Sequence, residues 1–147
     1  RFRAKVEFIV TDGVARNFIE SDYNDHDKLI QAGIPYIDVT NTESFTPHML
    51  NLDKLDAISF TKGCYTGQEI VARTEHRGRT KRRLMRYESD ASDIAAGANV
   101  TNDDQVVGQV VNVSGHSLLA VTLVESHATR LKVNETSISP TGLPYSI

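Results

Sequence analysis

The sequence predicts an α+β chain that ends in a small closed or nearly closed β-sheet. Two observations carry this. Up to Gly78, helical segments and short strands are spaced by irregular stretches. Beyond Gly78, short runs rich in β-branched residues recur at close intervals, with turn residues between them. A length of 147 residues suits one domain or two small ones and can bury a useful core.

Taken in order, Phe2, Ala4, Val6, Phe8 and Val10 alternate with Arg1, Arg3, Lys5, Glu7 and Ile9, the period of a half-buried strand. Thr11-Asp12-Gly13 then reads as a turn, and residues 14–24 carry no regular pattern. A short helix is predicted over Asp25 to Ala32, stopped by Gly33 and unable to continue through Pro35. Tyr36 to Val39 reads as a brief strand. From Asn41 to Phe60, with Pro47 and scattered apolar positions, the pattern is that of a loop with one short helix. The strongest helix is predicted over Thr66 to His76, with Ile70 and Val71 facing inward and Gly78 as its stop. Strands follow over residues 80–88, 105–113, 117–124, 129–134 and 136–139. Val106, Val107, Val110, Val111 and Val113 give one its β-branched character, and Val121, Thr122 and Val124 give it to another. Asn102-Asp103-Asp104 and Ser114-Gly115-His116 supply turns.

Composition bounds the function. With 39% apolar and 24% charged residues the chain is of ordinary globular type, and no apolar run is long enough to span a bilayer. Its opening, Arg-Phe-Arg-Ala-Lys, lacks the apolar core of a signal peptide. With no initiator methionine, the chain is expected to be an excised fragment. One cysteine cannot form an internal disulfide, which fits a reducing compartment. The net charge of −3 is unevenly spread: residues 62–86 hold eight Lys or Arg against Glu69 and Glu75, a net of +6, leaving −9 elsewhere. The basic run His76 to Arg83 can hold phosphate, an acidic ligand tail or RNA. Equally, it can be a solvated linker and strand edge, where cations discourage edge pairing.

The lone cysteine lies in Lys62-Gly63-Cys64-Tyr65-Thr66-Gly67-Gln68-Glu69. Thr66 and Glu69 have capping-box spacing, so Cys64 is expected just outside a helix N-terminus, where free N–H groups and the macrodipole favour a thiolate. Lys62 adds positive charge. A free cysteine is also often a small apolar filler, and both readings stand. Gly63 and Gly67 allow tight turns and close approach of a ligand to the backbone. Lys62 and Arg73 can neutralise carboxylates or pair with Glu69. Tyr65 and Gln68 can present a ring face and an amide to a planar ligand, or Tyr65 can simply be buried.

The run Ile58 to Glu69 resembles the signature of the YgfZ family, folate-binding proteins related to the aminomethyltransferase of the glycine cleavage system. Ala32-Gly33-Ile34-Pro35-Tyr36-Ile37-Asp38, Phe45-x-Pro47 leading to Asn51-Leu52, Arg77-Gly78 before Lys81-Arg82, and Leu143-Pro144-Tyr145-Ser146 agree with the family and in the same order. The resemblance covers about residues 30–147. It implies a remnant of a folate-binding α+β region over residues 1–78, followed by a small C-terminal antiparallel β-barrel over 79–147. It also implies tetrahydrofolate or a derivative as cofactor, with Lys62, Gly63, Tyr65, Gly67, Gln68, Glu69 and Arg73 in its binding motif and Cys64 as a functional thiol.

The function implied is that of an accessory protein supporting assembly or repair of iron–sulfur enzymes, including enzymes that modify tRNA. Its partners would be those enzymes or their assembly factors, in the bacterial cytoplasm or, alternatively, the mitochondrial matrix. A folate-dependent aminomethyltransferase is the enzymatic alternative, although the motif offers a thiol rather than an acid/base group. An RNA-binding module is a third reading. The family often has a tryptophan before Gly33; this chain has none, and Tyr23 is the nearest aromatic, which implies weaker folate binding. No histidine pair has metal-ligand spacing, and one thiolate cannot hold a cluster that needs four ligands.

Overall fold

The computed structural model describes residues 26–60, 63, 67–77, 80–126 and 129–147. The strand expected over residues 1–10 and the turn after it lie outside them. Among the described residues, two helices, α1 (His26–Gln31) and α2 (Gln68–Arg77), precede six strands. The strands are β1 (Arg82–Ser89), β2 (Asn99–Asn102), β3 (Gln105–Ser114), β4 (Ser117–Leu123), β5 (Leu131–Val133) and β6 (Thr136–Thr141). They close into a barrel in the order β1-β4-β3-β2-β5-β6, and every pairing is antiparallel. Closure leaves no open sheet edge.

Tight hairpins set the register. Asn102 pairs with Gln105 across Asp103 and Asp104, whose φ values of 45° and 67° are the positive pair that matches strand twist. Ser114 pairs with Ser117 across Gly115 (φ 57°) and His116, and Val133 pairs with Thr136 across Asn134 (φ 54°) and Glu135. The two turns expected from sequence are therefore the β2–β3 and β3–β4 hairpins. Gly108 has a different task. A Cβ there would stand 2.2 Å from the Val121 carbonyl oxygen, so only glycine lets β3 and β4 approach at this point.

The barrel interior is filled by Met85, Tyr87, Val100, Val110, Leu118, Leu131 and Ile138 among others. Inside it, the Tyr87 hydroxyl hydrogen-bonds Thr122 Oγ1 at 2.8 Å. A second apolar cluster lies outside, where Leu84, Val111, Leu119 and Val121 meet Ile30 and Leu50, with Phe45, Met49 and Leu52 packed around. Residues 118–122 are buried without interruption because both faces of β4 are covered. The segment 26–57 thus forms a lid over one outer face of the barrel.

The structure revises several expectations. Asn99–Asn102 is a strand although its only apolar residue is Val100. The strand expected over Tyr36 to Val39 does not form, because the backbone of Tyr36 is partnered by a side chain, as described below. Between Asn41 and Phe60 there is no α-helix but a succession of turns, with Asn51 and Asp56 at φ values of 59° and 53° interrupting helical hydrogen bonding. The strand expected over 129–134 narrows to Leu131–Val133. In α2, Val71 is buried but Ile70 is 61% exposed, so only one of the two expected inward residues faces in.

Candidate functional site

Two places qualify on residue type: the cysteine motif before α2 and the polar junction between the lid and the barrel. Of the motif, Gly63, Gly67, Gln68, Glu69 and Arg73 are described, whereas Lys62, Cys64, Tyr65 and the capping residue Thr66 lie outside the described residues. Gly67 has φ 86°, a conformation that favours glycine, and the chain passes straight from it into α2. Among the described residues, a Cβ at Gly63 or Gly67 would meet nothing within 4 Å. Glu69 and Arg73 are exposed and Gln68 is half-buried. Within α2, the Thr74 hydroxyl donates to the Ile70 carbonyl at 2.8 Å.

The junction is built differently. A β-bulge at Val111 lets Val110 pair with Ala120 and Asn112 with Leu119. It frees the Val111 carbonyl, which accepts from Asn41 Nδ2 at 3.0 Å. Beside it, Asn112 Oδ1 accepts from the Tyr36 amide at 3.0 Å, and Asn112 Nδ2 donates to the Tyr36 carbonyl at 2.8 Å. One asparagine therefore replaces the ladder neighbour that a strand at Tyr36 would need. Asn41 Oδ1 in turn accepts from the Asp38 amide at 2.8 Å, which ties the following turn to the barrel.

The C-terminal segment closes the other end. The Tyr145 hydroxyl donates to the Gly33 carbonyl at 2.7 Å and accepts from Asn51 Nδ2 at 3.3 Å, while the same Asn51 nitrogen donates to the Leu84 carbonyl at 2.9 Å. Gly33 (φ 67°) has no room for a Cβ, which would lie 2.7 Å from Leu143 Cδ2 and 2.9 Å from Tyr145 Cε1. Nearby, Arg83 Nη1 donates to Asp53 Oδ1 at 2.6 Å and to the His48 carbonyl at 3.0 Å; the two charged side chains are only 13% and 8% exposed. Arg86 reaches the Gln31 carbonyl at 2.8 Å and Thr141 Oγ1 at 2.9 Å.

Burial pushes the Tyr145 hydroxyl pKa up, with the Asn51 hydrogen bond opposing. Burial inside the barrel pushes Tyr87 up to about 12. The Thr40 hydroxyl, donating to Asp38 Oδ1 at 2.6 Å, holds that carboxyl below its ordinary value. Tyr36 is raised by burial first and by the Asp38 charge second. These shifts follow from structural burial and capping. The basic run divides accordingly: Arg83 and Arg86 are fixed in the junction, whereas Arg73, Lys81 and Arg82 remain exposed.

Comparison with known proteins bears on both places. No family model matches the chain. The chain is 51% identical over 67 residues to the tRNA-modifying protein YgfZ of Yersinia pestis (strain Pestoides F), covering 46% of this chain and 20% of the relative. The Yersinia pseudotuberculosis (serotype O:1b, strain IP 31758) protein of that name gives the same values. The YgfZ of Enterobacter sp. (strain 638) is 35% identical over 131 residues, covering 80% of this chain and 40% of the relative. The chain belongs to the YgfZ family. It spans 20 to 40% of the length of these relatives.

The YgfZ-like segments quoted from the sequence converge in space. Gly33, Asn51 and Tyr145 belong to three of them, and they meet in one hydrogen-bonded group although up to 112 positions separate them. Sequence reading had assigned no role to Asn41, Asp53 or Asn112. Isolated polar residues carry no periodic signal, and Asn112 sits at a bulge that pattern does not reveal. Among the described residues no group of three metal-ligating side chains comes together, and no helix is long and apolar enough to cross a membrane.

Proposed function

We propose that this chain is part of a folate-dependent accessory protein that supports iron–sulfur cluster assembly or repair in client enzymes, including enzymes of tRNA modification. The observation that carries this reading is the Lys62–Glu69 run leading through Gly67 directly into α2, in a chain related to proteins named tRNA-modifying protein YgfZ. Residues 1–78 are assigned to a remnant of the folate-binding α+β region and residues 79–147 to the barrel domain, with the bacterial cytoplasm as the compartment. Tetrahydrofolate or a derivative is the proposed cofactor. No described residue crowds Gly63 or Gly67, which suits a ligand held against the backbone; Gln68 supplies an amide, Arg73 a cation for a carboxylate, and Lys62 and Tyr65 complete the motif. Cys64, near a helix N-terminus, is the proposed functional thiol. When bound, the folate would supply one-carbon or pterin chemistry, while these residues hold and orient it.

The RNA-binding reading is weakened because Arg83 and Arg86 are engaged in the junction. Alkylation of Cys64 as a function of pH, with and without tetrahydrofolate, tests the assignment in this chain and in a full-length YgfZ carrying the same motif. A depressed thiol pKa and folate-dependent protection in the full-length protein are expected. An ordinary pKa without protection refutes the site. Equal cluster loading of client enzymes by wild type and Cys64→Ala refutes the role of the thiol.

A further inference from the structure

A groove of about 250 Å³ runs along the margin of the lid, where Phe45 and Met49 stop short of covering the outer face of the barrel. Val121 and Val106 lie along its barrel side, and Arg82 and Gln109 add polar groups. Val121 is buried, whereas Val106, one pair from the β2–β3 turn, is 55% exposed. Arg83 is committed to Asp53 and Arg86 to Gln31 and Thr141, whereas Arg82 is exposed and no described carboxylate pairs with it. Lys81, also exposed, precedes it on the approach to β1. Gln109 Nε2 is held by the Gly97 carbonyl at 3.0 Å, which fixes that amide at the groove.

We infer that this groove docks a segment of a partner protein that presents an acidic side chain next to an apolar one. The charge selects the occupant: a guanidinium without a described carboxylate partner, beside an apolar strip of Phe45, Met49 and Val106. The shape selects a protein segment over a small metabolite. Small-ligand sites enclose most of their ligand in roughly 300–1,000 Å³, whereas this groove is smaller and open to solvent, with room for a side chain and its neighbour. The closed barrel offers no strand edge, so recognition falls to side chains. None of the groove residues belongs to the cysteine motif, and the inference does not depend on folate binding.

The test is a nitrogen-15 NMR titration of this chain with acetyl-Leu-Asp-Leu-amide and, separately, its Asn counterpart. The Asp peptide is expected to shift the amide resonances of Met49, Val106 and Gln109 and to bind about fivefold more tightly, the upper worth of a solvent-exposed ion pair. Arg82→Gln should equalise the two peptides, and Val106→Glu should abolish binding of the Asp peptide; both sites are exposed, so the barrel should melt as wild type. Equal affinities in the wild type, shifts elsewhere only, or an intact preference in Arg82→Gln would overturn the proposal. Hexanoate shifting the same resonances as tightly as the peptide would replace the protein segment with a small carboxylate and overturn it as well.

Discussion

Replacing Tyr145 with Phe removes one oxygen atom and leaves the ring in place, so it isolates the closure of the lid by the C-terminal segment. In the wild type that oxygen donates to the carbonyl of buried Gly33 at 2.7 Å and accepts from Asn51 at 3.3 Å. Asn51 Nδ2 keeps the Leu84 carbonyl at 2.9 Å after the substitution, so its loss is small. The Gly33 carbonyl loses its hydroxyl donor in a place that water reaches poorly. A net hydrogen bond contributes about 1 kcal/mol, and stranding its buried partner costs about 1–3 kcal/mol, so a loss of about 2 kcal/mol is expected. For a chain of this size that lowers Tm by about 4–8 °C. Thermal melts by circular dichroism, with urea titration as a second measure, read the change. Tyr36→Phe is the matched control, because its hydroxyl bonds the exposed His26 ring at 3.3 Å and should move stability by less than about 0.5 kcal/mol. Equal melting of Tyr145→Phe and wild type would refute the latch. So would an equal loss in the two variants, since burial would then not be the cause.

Other substitutions probe the same architecture from different sides. Gly33→Ala combines a positive φ with a Cβ 2.7 Å from Leu143, so it should cost about 2–4 kcal/mol in urea unfolding; a loss under 0.5 kcal/mol would mean the turn has another conformation. Gly108→Ala places a Cβ 2.2 Å from the Val121 carbonyl oxygen and should cost more than about 3 kcal/mol, seen as insoluble or molten protein; a sharp wild-type melt would refute the close approach of β3 and β4. Alkali tests Tyr87. Its folded pKa of about 12 lies above its unfolded value of about 10, so its contribution is complete below pH 10 and is lost as pH rises towards 12. The loss amounts to about 3 kcal/mol, and Tyr87→Phe should flatten that slope in urea midpoints measured across the interval; an unchanged slope would count against it. Asp53→Ala leaves Arg83 with a buried, unpaired charge and should cost about 3–5 kcal/mol. Asp53→Ala with Arg83→Met should recover part of it, and no recovery in the double variant would count against the pair.

What could be read from sequence depended on whether a residue's role was periodic. The barrel was legible because β1, β3 and β4 carry β-branched or apolar runs and because Asp103-Asp104 and Gly115 sit where tight hairpins need positive φ. β2 was not legible. Its one apolar residue, Val100, points into the barrel, and both neighbours that hold the strand, β3 and β5, lie later in the chain. The expected strand at Tyr36 failed for the complementary reason: its backbone groups bond to the side chain of Asn112, an arrangement no local pattern encodes. Ile70 was expected inside by helical spacing alone, yet spacing cannot tell which side of a helix has a neighbour. Of the site, the motif was legible as residue types, and Gly67 has the backbone conformation that its glycine suggested. The junction was visible only as resemblance, because Gly33, Asn51 and Tyr145 are brought together by the fold rather than by the sequence.

That convergence gives the lid and the barrel a shared physical basis. The outer faces of β1, β3 and β4 carry Leu84, Val111, Leu119 and Val121, an apolar surface that would face water if residues 26–57 were removed. Conversely, those residues contain one six-residue helix and a chain of turns, too little regular structure to bury Ile30 and Leu50 alone. Each part supplies the other's missing layer, and the polar contacts at Asn41, Asn51, Asp53 and Tyr145 fix the register between them. The Lys62–Glu69 motif lies in the sequence between the lid and β1, the two parts that the junction joins. A change that loosens the junction, such as Tyr145→Phe, should therefore raise the alkylation rate of Cys64 without touching the motif. Identical rates in wild type and Tyr145→Phe, measured well below either Tm, would show that the motif is insulated from the junction and that the two must be explained separately.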